Sequence, residues 1–124
     1  MDRIAHVYYE ESGFGEAAFE KINREQGFLA AFRQWWPSVA YATERVLADH
    51  RHCVIDLGAG HSHYEDRVLF ERIQRAFAPY QNVVLLLPSP DLDKSVRILR
   101  ARNLEQRDWD WVADGYDFTH SFPM

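Results

Sequence analysis

The chain has 124 residues, a length that suits one domain. It is 47% hydrophobic and 15% aromatic, which supplies a core and excludes a disordered class. Fourteen basic residues against 19 acidic ones leave a formal net charge of -5, which argues against a general nucleic-acid or anionic-membrane binder.

The N-terminal stretch MDRIAHVYYEES has no apolar leader core, and no segment approaches the ~20 apolar residues of a membrane span. The chain therefore reads as a soluble, cytoplasmic protein. Residues 15 to 26 carry good helix formers and stop before Gly27. GFLAAFRQWW then reads as a second helix, interrupted by Pro37. Pro37 opens a third that runs to about Asp49, with Val39, Thr43, Val46 and Leu47 on one face.

CVIDL, residues 53 to 57, is a short apolar strand, closed by Gly58 and Gly60. Cys53, the sole cysteine, excludes an internal disulfide, fits a reducing compartment and is expected to be buried in that strand. Asp66 caps a helix with Leu69, Phe70, Ile73 and Phe77 on one face, ended by Pro79. NVVLLL, residues 82 to 87, reads as a strand buried on both faces. Ser89 and Pro90 then start a helix with acids near its beginning and Arg97, Arg100 and Arg102 toward its end. The tail from Asn103 has no clear period. Two strands joined through a helix over about two dozen residues make a βαβ unit. The predicted fold class is α/β, three-layered with a short parallel sheet. Two parallel strands make a poor sheet by themselves, so part of the fold is expected from elsewhere.

A glycine turn at the end of a parallel strand lies where α/β proteins place ligands, and a tight turn is the plainer reading of it. VIDLGAG, with Ser62 where a further glycine is expected, looks like the first motif of S-adenosylmethionine-dependent methyltransferases. A longer stretch, about Tyr8 to Asn103, resembles the shikimate-kinase-like P-loop small-molecule kinases. Phe32-Arg33 in GFLAAFRQWW match that family's substrate segment, with Phe28 in place of its glutamate. Gly58-Ala59-Gly60 resemble its substrate glycine loop. NVVLLLPSPDLDKSVRILRARN looks like the next strand and the helix leading to its lid.

That resemblance implies roles. Arg33 would bind a small anionic or polyhydroxylated substrate with its guanidinium fork. Gly58, Ala59 and Gly60 would let the backbone approach it. Asp56 would order water or magnesium, and Arg102, Arg100 or Arg107 would act as the lid arginine. ATP and Mg2+ are the implied cofactors. The phosphate loop G-x-x-x-x-G-K-[ST] is missing from this sequence, whose only lysines are Lys21 and Lys94. The expectation is one domain over residues 1–124 that lacks the first strand and phosphate loop and does not transfer phosphoryl groups alone. An incomplete sheet leaves apolar surface exposed, so a homo-oligomer or a covering partner is expected. The reading from a different class is a non-enzymatic interaction module. His61 and His63 read as polar loop residues rather than metal ligands. At least one tryptophan of each pair, Trp35-Trp36 and Trp109/Trp111, is expected in the core.

Overall fold

The computed structural model describes residues 1–105. Arg107, Trp109 and Trp111 lie outside the described residues. The chain divides into two compact units, Met1–Gln81 and the part from Asn82 onward. The first holds α1 (Asp2–Glu11), α2 (Glu16–Gln26), α3 (Phe28–Asp49), a single 3₁₀ turn (Ala59–His61) and α4 (Arg67–Phe77). The second holds α5 (Leu92–Glu105).

Helix α3 organises the first unit: α1, α2 and α4 each pack against it. Phe32, Trp36, Val39, Thr43 and Val46 recur every three or four residues and are all buried, the spacing that puts them on one stripe. Ala31, Ala40 and Ala42 are fully buried as well. Their small side chains let neighbouring helices approach on the other sides. The connections into this hub are set by two glycines, Gly13 (φ 86°) and Gly27 (φ 89°), in backbone conformations that L side chains rarely adopt. Gly27 joins α2 to α3 so tightly that Phe19 meets Phe28 and Trp35 edge-on, with centroids 5.8 and 5.7 Å away.

Pro37 does not divide α3. The helix runs unbroken for 22 residues with the proline inside it, although Pro37 has no N–H to give to the Arg33 carbonyl. Trp36, Ser38 and Val39 around it are buried, and tertiary packing on both sides outweighs the lost bond. Helix α1 was not legible as a helix in the sequence. Its anchors are Ala5, fully buried, and Tyr9, whose ring meets Trp35 at 5.0 Å. A polar clasp closes the other end. Tyr8 donates to Asp49 (2.9 Å), Tyr41 donates to Glu11 (2.8 Å), and Arg45 bridges both carboxylates. Hydrogen bonds from Tyr41 and then Arg45 hold the Glu11 carboxyl below its ordinary range.

Helix α4 starts where the sequence places it. Asp66 Oδ1 accepts from the Leu69 amide at 3.0 Å. Removing that acceptor in Asp66→Ala is expected to lower stability by about 1 kcal/mol, with Asp66→Asn restoring most of it in urea denaturation. On its inner side Arg72 grips Glu44 of α3 with two bonds, 2.6 and 2.7 Å. In the second unit, α5 begins two residues later than Pro90. Asp91, not Ser89, caps it, accepting from the Lys94 amide at 2.8 Å. Ser89 instead exchanges bonds with Ser95: its amide donates to Ser95 Oγ, and Ser95 Oγ donates to its carbonyl.

The three-layer α/β architecture with a parallel sheet, and with it the P-loop kinase fold, is overturned. Among the described residues there is no strand. CVIDL and NVVLLL have no regular secondary structure and form no ladder among the described residues. A strand is defined by its hydrogen-bonded neighbour, and neither segment has one among the described residues. Cys53, expected inside that strand, is exposed for the same reason. No described helix is long and apolar enough to cross a membrane.

Candidate functional site

The glycine turn after CVIDL is held to the core by a histidine. The Gly58 carbonyl accepts from the His61 amide (3.0 Å) and lies 3.2 Å from His61 Nδ1. A carbonyl can only accept, so Nδ1 carries a proton, and in the neutral ring Nε2 accepts from the Tyr9 hydroxyl at 2.9 Å. The Tyr64 hydroxyl donates to the His61 carbonyl at 3.1 Å. His61 is thus a buried tie (4% exposed) between the turn, α1 and the core, rather than a polar loop residue. Burial pushes the Tyr64 phenol up to about 12.

The residues singled out from the sequence come only partly together. Gly58 takes ordinary extended backbone (φ -65°), and a Cβ on Gly60 would meet only Phe32 Cζ at 3.7 Å. Neither glycine is required by backbone geometry. Ala59 opens the 3₁₀ turn. Arg33 lies on α3 beside this turn, but its Nε pairs with Glu65 Oε2 at 3.2 Å. The carboxylate already takes the place of the anion that the resemblance assigns to this arginine. Asp56 is exposed and makes no ion pair or hydrogen bond among the described residues. Arg102 sits exposed in the last turn of α5, in the second unit. No group of three or more His, Cys, Asp or Glu among the described residues is arranged to hold a metal.

Beside the turn, His63 meets Trp36 edge-on at 5.9 Å. Trp36 is buried, as one of its pair was expected to be. Its Nε1–H has no acceptor among the described residues. Burial lowers the His63 pKa below its ordinary 6.5, against the opposing charge of Glu65. The folded chain therefore takes up the His63 proton less readily than the unfolded chain. Stability should be undiminished above pH 6.5 and fall as the pH drops from there through the lowered folded value. Chemical denaturation at about pH 7.5 and about pH 5 should show this loss, and His63→Phe should reduce it while keeping an aromatic contact to Trp36. An equal loss in the variant would place the acid sensitivity elsewhere.

The largest departure from ordinary burial lies in the second unit. Val83 to Leu87 are all apolar and all exposed, Leu86 at 88% and Val84 at 78%. These are the side chains that a sheet would have covered. Val54, in CVIDL, is exposed as well. Between Pro79 and Pro90 the sequence holds no charged residue. Compared with known proteins, the chain matches no family model, no curated protein and no solved structure.

Proposed function

We propose that this chain acts by association: it is a non-catalytic interaction module whose docking element is the segment Asn82–Leu87, and the occupant is a second copy of the same segment. The observation that carries this is a run of five exposed apolar residues with no ladder among the described residues. Backbone donors and acceptors that bond to nothing among the described residues, on an apolar, β-prone segment, are a template for another strand.

Three features favour a second copy. A chain of net charge -5 repels itself in general, but these residues carry no charge, so like segments meet without repulsion. An antiparallel pairing centred on Leu85 sets Leu85 against its own copy, Val84 against Leu86 and Val83 against Leu87. Each apolar side chain then faces another, the pairing that stabilises a sheet. Pro88, with no N–H, limits the ladder to about six residues, an ordinary strand length.

Sedimentation of the purified chain across a concentration series tests the reading. The expected result is a mass rising from the 14.6 kDa monomer to the dimer and beyond, since a strand pair leaves two outer edges open. A constant monomer mass at every concentration would overturn it.

A further inference from the structure

A cleft of about 660 Å³ lies in the first unit, between the C-terminal halves of α3 and α4. Its floor is apolar, built by Leu47, Ala48, Ala76 and Pro79. Three arginines, Arg51, Arg72 and Arg75, line it with a single carboxylate, Glu44. Subtracting one negative charge from three positive ones leaves two positive charges on a chain whose formal charge is -5.

The arginines are not equivalent. Both hydrogen bonds of Arg72 run to Glu44, an interaction that holds its guanidinium above the usual range. Arg72 and Glu44 thus neutralise each other and brace the cleft wall. Arg51 and Arg75 are exposed and make no ion pair or hydrogen bond among the described residues. A cation near a helix end gains from the dipole, which by itself accounts for one arginine in the last turn of α4. It does not account for the apolar floor. At the negative end of α3 two carbonyls are already taken: Tyr80 donates to that of Leu47 at 2.6 Å, and the His50 amide donates to that of Val46 at 3.1 Å. Satisfied carbonyls repel an incoming anion less.

We infer that the α3–α4 cleft binds a small phosphomonoester with an apolar body, its phosphate held by Arg51 and Arg75 and its body laid on Leu47, Ala48, Ala76 and Pro79. The volume falls in the range of small-molecule sites, roughly 300–1,000 Å³. Two guanidinium forks match a phosphomonoester dianion in charge, and each fork suits a pair of phosphate oxygens. A carboxylate, with one charge, leaves one of them uncompensated. The site would take over the anion-binding role that the resemblance implies for Arg33, whose guanidinium is paired with Glu65.

Calorimetric titration of the full chain with phenyl phosphate is the test, with inorganic phosphate and benzoate as comparisons. Phenyl phosphate should bind the wild-type chain, more tightly than either comparison. Arg51→Ala and Arg75→Ala should each weaken it by about tenfold, the effect of removing one charge-assisted interaction. Both side chains are exposed and make no ion pair or hydrogen bond among the described residues, so the variants should keep the fold. Arg33→Ala should leave binding unchanged. Affinity should fall below about pH 6, where the phosphate takes up its second proton. No binding by the wild-type chain overturns the inference, as does binding that survives the double variant. Equal affinity for inorganic phosphate overturns the role of the floor, and equal affinity for benzoate overturns the choice of phosphate. The readout is ligand binding rather than mass, so it stands or falls apart from self-association.

Discussion

Trp36→Ala is expected to lower the stability of the first unit by about 3–5 kcal/mol, the cost of emptying a large aromatic site in a close-packed core. For a unit of this size that corresponds to a fall in melting temperature of roughly 12 °C or more. The side chain sits at the centre of α3, 3% exposed. Its ring centroid is 5.4 Å from Phe32 and 5.9 Å from His63. It therefore joins the helix hub to the loop that carries the glycine turn. Trp36→Phe should behave quite differently. It keeps an aromatic ring against Phe32 and removes an N–H that has no acceptor among the described residues. An unpaired buried donor costs about 1–3 kcal/mol, which offsets much of the lost ring volume. Urea denaturation of the three chains should rank the alanine variant far below the other two. A Trp36→Phe variant as unstable as Trp36→Ala would mean that the indole N–H has a partner after all.

The second large effect concerns assembly. Val84→Lys combined with Leu86→Lys should abolish self-association, because residues two apart in an extended segment share a face. Fully burying one such side chain stabilises by about 1.5–3 kcal/mol. A two-fold pair loses four of them, and even partial burial makes the expected weakening at least a hundredfold. Leu85→Pro is the sharper companion. It keeps the segment apolar but deletes a ladder donor, so it separates strand pairing from unspecific adhesion. Both variants should sediment as monomers with unchanged helix content by circular dichroism. Association that resists the lysines would move the interface away from this segment. Association that resists the proline alone would replace the ladder with side-chain packing.

Much of the helical part was legible. The cap at Asp66, the face of α4 and the Val39–Thr43–Val46 stripe of α3 are short-range patterns that depend on neighbours three and four residues apart. The glycine at 27 marked a real boundary because its backbone conformation (φ 89°) suits glycine. Where reading failed, the deciding partner was distant in sequence. Pro37 looked like a break, yet packing on α1, α2 and α4 carries the helix through it. Helix α1 has no side-chain cap and is held by Tyr8, Tyr9 and Glu11 reaching residues 30 to 52 positions away. His61 looked like a polar loop residue, although Tyr9 and Gly58 hold it inside.

The candidate sites divide in the same way. Gly58 to Gly60 and Arg33 drew notice through a motif, but the Arg33–Glu65 pair emerges only when the turn folds back on α3. Arg51 and Arg75 carried no motif, since a cleft between two helices has no contiguous signature. By itself the sequence determined where helices can start and stop, which faces are apolar, and that 82 to 87 is an uncharged β-prone run. Only the tertiary structure decided that this run forms no sheet among the described residues. Apolar character and β propensity make a segment willing to be a strand, but its hydrogen bonds must come from a second segment, and that pairing lies beyond any local pattern.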